Sequence, residues 1–296
     1  MARRIRVPWL VDMLIVDQPA EIRALAAEPR LDRDHAVARG PLINRLVTSR
    51  IRRWLRVEDR FLPALAPRED TVRAKRQEQL ARQLDPSRNE PLWDPAAVRE
   101  LALYVRGSGA AERVGPVVQQ VVGRLFDPHY TATPESYDAA RTIDGMGSAG
   151  PLRYFWLRLS GKPARARRLL WRLAKDEGHA VHGTAIAMHN IVRALERMRR
   201  LRADPGARPR LSEESILTQC MVAPRRVLRE ATEPFETPPA GRQVRRGTLV
   251  VMELDQARER APDSAVTFMS ESWSRCPASG FVAALLLAVW REAEAT

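Results

Sequence analysis

Thiols are almost absent from this chain, and so are lysines and long apolar runs. Cys220 and Cys276 are the two cysteines in 296 residues. They stand too far apart for a zinc-ligand spacing, and one disulfide between them would be unusual in a reducing compartment, so both are read as thiols. No apolar run reaches the ~18 residues that a membrane span needs. The basic start, Met1 to Arg6, is followed by a stretch broken at Pro8, Asp12 and Asp17, too interrupted for the apolar part of a secretory leader. A soluble, cytoplasmic protein is the expectation. A glycine-rich phosphate loop, a Gly-x-Ser-x-Gly elbow and a zinc constellation are also missing, which argues against the nucleotide, hydrolase and zinc-enzyme classes that use them.

Positive charge is what the chain has in excess. Of 49 cations only Lys75, Lys162 and Lys175 are lysines, leaving 46 arginines, and the net charge is +13. The arginines are spread along the chain, as they are when arginine is used wherever a cation is tolerated. The functional alternatives are an anionic ligand, an acidic redox or biosynthetic partner protein, or nucleic acid. Arg50–Arg53, Arg165–Arg172 and Arg197–Arg202 suit phosphates but lack interleaved aromatics and a known binding motif, so nucleic acid ranks last.

Hydrophobic spacing predicts a mainly helical single domain over 1–296 with a small β component. Residues 9–17 read as a short strand, and Pro19 starts a helix to Ala26. Helices are expected over 41–57, 70–84 (solvated, with little apolar face), 94–106 and 113–126. The glycine-rich stretch 141–150 is the candidate flexible point. From 151 to 203 the chain is helical apart from a break near Ser160-Gly161, and its longest helix runs from about 177 until Asp204-Pro205-Gly206 stops it. A short helix follows at 212–222, a hairpin at 243–254 and a last helix at about 278–293. The most apolar stretch, Phe281 to Trp290, fits a buried helix.

Five pieces stand in a telling order over 180–296. The long helix ends at Ala203-Asp204-Pro205. Arg229-Glu230-Ala231-Thr232 follows, then Gly247-Thr248-Leu249-Val250-Val251, then Ala257 to Pro262. Finally Phe268 to Cys276 leads into the last helix. This order resembles the C-terminal core of the cytochrome P-450 superfamily. The resemblance implies a shortened P-450-like helical fold, with a long central helix and a cysteine loop before the last helix. It implies a b-type, thiolate-ligated heme, with Cys276 as iron ligand and Arg229 as the propionate partner. Gly183 falls on the family's helix glycine, and Trp273 lies near the cysteine. The acid-x-x-Arg motif falls near Thr218 to Val222 without its acid or arginine, and the glycines flanking the cysteine are replaced by Ser272 and Ala278.

The residues carry their own chemistry beside that likeness. A thiol at a helix N-terminus, with Arg275 beside it and Pro277 suited to a first turn, is favoured as thiolate. The plainer reading of Cys276 is a buried structural thiol. Arg229 suits a carboxylate bidentately, or is one surface arginine among many. His179, His182 and His189 share a helix, but no carboxylate completes a metal set at matching spacing. On the family alignment the acid–alcohol pair that delivers protons falls on Ala185 and Ile186, neither of which donates one. His182 and Thr184 are then the candidate substitute proton donors. The expectation is a heme protein oxidising a small apolar molecule with peroxide, or a heme-less relative that binds a partner.

Overall fold

The computed structural model describes residues 2–34, 40–57, 60–87, 92–204, 212–237 and 241–295. In chain order it begins with β1 (Arg3–Val7), β2 (Val11–Val16), α1 (Pro19–Ala27), β3 (Leu31–Asp32) and α2 (Leu42–Trp54). β4 (Arg56–Val57), β5 (Arg60–Phe61), α3 (Thr71–Gln83), α4 (Pro95–Arg106), α5 (Ala111–Arg124) and α6 (Pro134–Ser148) follow. Then come α7 (Pro151–Leu159), α8 (Lys162–Leu173), α9 (Gly178–His182), a π turn at Gly183–Ala187, α10 (Met188–Ala203) and α11 (Glu213–Cys220). The C-terminal part holds β6 (Val227–Ala231), β7 (Phe235–Thr237), β8 (Arg242–Val244), β9 (Leu249–Met252), α12 (Leu254–Arg260), α13 (Ser264–Phe268) and α14 (Ser279–Glu294). Two units emerge from the internal contacts. The first takes Met1–Arg56, Ala64–Arg76 and Ala223–Cys276; the second takes Val57–Pro63, Gln77–Val222 and Pro277–Thr296.

The first unit is built on a five-stranded sheet of order β1-β2-β9-β6-β3. β2 and β9 run parallel, and the other neighbours are antiparallel. Alternation along β2 turns Leu14 and Val16 inward, where they meet Ile22 and Leu25 of α1, Val250 and Met252 of β9, and Leu254 and Val266. Each such side chain contributes roughly 1.5–3 kcal/mol by leaving water. Buried Asp12 fixes the register: Arg4 grips it twice, at 3.1 and 3.0 Å, and the Thr248 hydroxyl donates to it at 3.0 Å. Asn44 on α2 donates to the carbonyls of Asp12 (2.7 Å) and Gly247 (2.9 Å), tying helix to sheet. The Gly247-Thr248 pair is thus explained by packing, since Gly247 sits at φ 79° and presents its carbonyl to Asn44.

The second unit is helical around α4, α5, α10 and α14. Leu101, Val118, Leu195, Met198, Phe281, Leu285, Leu286 and Val289 fill it, so the apolar stretch before Trp290 is a buried helix as expected. Asp94 caps α4 by accepting the Ala96 amide, and Gly107 ends it in the left-handed region at φ 91°. Of residues 141–150, expected as the flexible point, 141–148 form the second half of α6. A Thr133–Ser136 capping box starts that helix, and Ala139, Ala140, Ile143 and Met146 bury its inner face, which offsets the glycines.

Other expectations changed as well. The hairpin expected over 243–254 does not form: β8 pairs with β7, while β9 pairs with β2 and β6. Gly247 turns the chain between two separate ladders instead of folding one strand back on the other. Pro277 does not sit in a first turn either, because α14 begins at Ser279. The helix stop at Pro205-Gly206 lies outside the described residues.

Candidate functional site

Arg229 sits on β6 with two strands beside it, which forces a charged side chain into a buried place. One of its terminal nitrogens donates to the Leu228 carbonyl at 2.9 Å and the other to Ser274 Oγ at 2.6 Å. Among the described residues it has no ion-pair partner. Burial pulls its pKa down to about 10, opposed by the Asp32 charge.

Two arginines that sequence reasoning did not single out join it. The guanidinium carbons of Arg73, Arg33 and Arg229 lie 4.7, 5.0 and 5.7 Å from the centre of the Trp273 ring. A ring face attracts cations, by ~0.5–2 kcal/mol each depending on desolvation. Arg73 also donates to the Trp273 carbonyl at 3.2 Å and to the Arg68 carbonyl at 3.1 Å, and Arg33 donates to the Ala66 carbonyl at 3.1 Å. Burial, then the charges of Arg229 and Arg73, drives the Arg33 pKa down to about 9. Burial lowers Arg73 too, against the pull of Asp70 and Asp32. Asp32 itself accepts backbone amides from Arg33, Asp34 and Arg68. Three desolvated cations around one ring form a place where an anion would lower the electrostatic cost.

The loop that carries Trp273 is held at both ends. Met269 ends α13 in the left-handed region at φ 51°, and the Cys276 amide returns to the Phe268 carbonyl at 3.0 Å. Within it the Ser272 hydroxyl accepts the Ser274 amide at 3.1 Å and lies 3.0 Å from Ser274 Oγ. Cys276 is a half-buried thiol outside any disulfide. Arg229, Trp273, Ser274 and Cys276 therefore belong to one unit, with Ser274 linking the strand arginine to the cysteine loop. A buried strand cation bonded to a hydroxyl of the loop that ends at the Cys276 thiol fits a group carrying carboxylates and a metal that takes sulfur. The heme implied by the resemblance is such a group.

The candidates on the long helix lie in the other unit. Gly183 opens the π turn, and a Cβ there would stand 3.2 Å from Val122 and 3.3 Å from Phe126, so its smallness serves helix packing. Thr184 is fully buried. Its hydroxyl donates to the Ala180 carbonyl at 2.7 Å, and its carbonyl accepts from Gln119 at 3.1 Å. His182 is half-buried at the end of α9, Ala185 is buried in the π turn and Ile186 half-buried. His179 bonds Glu177 at 3.1 Å, and buried His189 packs against Tyr137. No group of three possible metal ligands of the His, Cys, Asp or Glu type occurs among the described residues.

Arg73 was hidden by the charge of its surroundings, since the 70–84 stretch reads as solvated. Val72 beside it is 76 % exposed while Arg73 is 7 % exposed, the reverse of what hydropathy expects. Arg33 offers no local signal at all.

This assembly of a helical part, a small sheet and a cysteine loop before the last helix is the fold of the cytochromes P-450 in shortened form. No protein-family model matches the sequence, and no curated protein does. The solved structures it resembles include a myxobacterial cytochrome P-450 in complex with myristic acid. There the identity is 16 %, the TM-score is 0.61, and the likeness covers 98 % of this chain and 85 % of that one. A mutant of cytochrome P-450 SP alpha matches at 14 % identity and a TM-score of 0.55, over 97 % and 84 % of the two chains. A six-coordinated cytochrome P-450 from Thermus thermophilus matches at 12 % and 0.55, over 95 % and 84 %. At these identities the likeness establishes the fold.

Proposed function

We propose that this chain is a heme-thiolate oxidoreductase of the cytochrome P-450 type, with Cys276 as the axial sulfur ligand and Arg229 as partner of a heme propionate. The observation that carries the reading is the buried Arg229 guanidinium, without a carboxylate partner among the described residues, hydrogen-bonded to the loop that ends at Cys276, a thiol outside any disulfide. A thiolate-ligated heme, when bound, supplies electron density that favours cleavage of an O–O bond. Arg229 would bind and orient a propionate as a charge-assisted pair. Trp273 would hold the arginines in place, and the nearby Arg275 side chain would favour the thiolate of Cys276.

The long helix supports one oxidant over another. Ala185 and Ile186 have no proton to give, and the Thr184 hydroxyl is directed at the Ala180 carbonyl. Peroxide, which brings its own protons, is therefore favoured over dioxygen with an acidic redox partner, and His182 is the remaining candidate donor on this helix. The substrate class proposed is a small apolar molecule. Gly183, read from the sequence as a cofactor contact, has a packing role that stands without one.

A second reading rests on Trp273. Its ring and Ser274 already receive the buried guanidiniums, so the site is stable in a chain that carries no heme and binds a partner protein instead. The two separate in one experiment. The protein is expressed with a heme precursor, and its reduced carbon-monoxide spectrum is recorded beside those of Cys276→Ala and Arg229→Leu. The first reading expects the long-wavelength band from which the family takes its name, lost in Cys276→Ala, with heme retained more weakly in Arg229→Leu. A folded, colourless wild-type protein would sink it.

A further inference from the structure

We propose that α7 and the outer face of α8 form a docking surface for an anionic lipid bilayer. α7 presents Leu152, Phe155, Trp156 and Leu159 at helical spacing, one continuous ridge. They are 72, 55, 63 and 62 % exposed, and none of residues 152–159 is buried. A helix with such a face ordinarily turns it to the core, and an exposed apolar patch of this kind marks an interaction site. Phe155 and Trp156 meet edge-on at 6.1 Å, which holds two aromatic rings together at the surface.

The charge around the ridge identifies its occupant. From residue 145 to residue 175 the sequence has eight Lys and Arg residues and no Asp or Glu. Seven of these cations are exposed: Arg153, Arg158, Lys162, Arg165, Arg168, Arg172 and Lys175, the last paired with Asp127 at 2.8 Å. α8 buries Ala166, Leu170 and Trp171 within its own unit, which leaves Arg165, Arg168 and Arg172 outward and Arg167 half-buried. An apolar ridge of Leu, Phe and Trp flanked by arginines is the composition that lies in a bilayer interface, with the cations drawn to anionic headgroups. The ridge carries no hydrogen-bonding group beyond the indole N–H, and all four of its side chains are more than half exposed. Fluid acyl chains accept such a shape without complementarity. A second copy would set like charges against each other. No helix among the described residues is long and apolar enough to cross a membrane, so the contact is peripheral.

Co-sedimentation of the full chain with vesicles tests the idea. Vesicles of mixed phosphatidylglycerol and phosphatidylcholine should pellet the protein, pure phosphatidylcholine should not, and salt should release it. Phe155→Ser with Trp156→Ser should weaken binding at least roughly tenfold, and Arg165→Glu with Arg168→Glu should weaken it comparably. Both pairs are exposed, so circular dichroism should stay as in the wild type. Equal sedimentation with and without anionic vesicles, or binding that both variants retain, overturns the proposal. So does a wild-type dimer that Phe155→Ser with Trp156→Ser dissolves, or tight binding of polyglutamate that needs the same two aromatic residues.

Discussion

At the scale of single residues, two glycines in neighbouring helices should respond oppositely to the same change. A Cβ on Gly115 of α5 would lie 2.0 Å from the Tyr137 ring, whereas one on Gly145 of α6 meets nothing within 4 Å. Alanine improves helix propensity by ~1 kcal/mol at either place. Overpacking against a ring costs about 1–3 kcal/mol and wins at Gly115. Guanidinium unfolding should therefore show Gly115→Ala destabilised and Gly145→Ala stabilised. His189 gives a pH test. Burial holds its pKa below the usual histidine value, with Arg193 and Arg141 adding to the effect and Asp144 and a backbone contact at Ala140 opposing it. The unfolded chain then takes up the proton first. Stability is complete above ~6.5 and falls below it, by at most about 1.4 kcal/mol per pH unit, until the folded histidine also titrates. His189→Gln should flatten the urea midpoint between about pH 7 and pH 5. A slope unchanged by that substitution would assign it to other groups.

At the scale of elements, the π turn in the long helix depends on a side chain from elsewhere. A π turn disrupts the regular carbonyl-to-amide ladder. Gln119 of α5 donates to the Thr184 carbonyl at 3.1 Å and to the Ser136 carbonyl at 3.1 Å, and it accepts the Ser136 hydroxyl at 2.7 Å. One amide thus joins α5, α6 and the π turn. Gln119→Leu keeps the volume and removes every bond, leaving two buried carbonyls short of a donor at about 1–3 kcal/mol each. The expected result is a loss of global stability, with amide exchange accelerated most over 183–188. The long helix itself was legible in the sequence from its spacing, and so were α1, α4 and α14, from Pro19, Asp94-Pro95 and the apolar 281–290 run. The π turn was not, because no residue type encodes it and Gln119 is 65 positions from Thr184. β6 was missed for a related reason. Val227-Leu-Arg-Glu-Ala231 has two charged residues that read as surface, yet Arg229 and Glu230 are buried by neighbouring strands. For the candidate site, Cys276, Trp273 and Arg229 were legible through the order of their motifs. Arg33 and Arg73 were not, since only the fold brings three cations to one ring.

At the scale of the whole molecule, neither unit is a continuous piece of chain. The sheet of the first takes β1, β2 and β3 from the first 32 residues and β6 and β9 from residues 227–252. The helices of the second lie between them, yet it also needs α14 from the C-terminal end. A chain ended after Val222 would lose β9, the central strand of the sheet, and its neighbour β6. Leu14 and Val16 would then have no Val250 and Met252 to cover them. The same cut would take Phe281, Leu285, Leu286 and Val289 from the helical core, all at most 1 % exposed in the intact chain. At roughly 1.5–3 kcal/mol for each buried side chain, the four helical-core residues alone come to about 6–12 kcal/mol, comparable with the ~5–15 kcal/mol by which a domain is ordinarily stable, and the sheet contacts are lost besides. Residues 1–222 alone should give no cooperative unfolding transition. Co-expression with 223–296 should restore one, because every missing contact is then present without the covalent link. Pairings of such long sequence separation also form late, so the intact chain should refold slowly. A cooperative transition in 1–222 alone, followed by far-ultraviolet circular dichroism during guanidinium titration, would mean that the N-terminal strands find cover without β9. The parallel β2–β9 pairing would then be an addition to a core already formed.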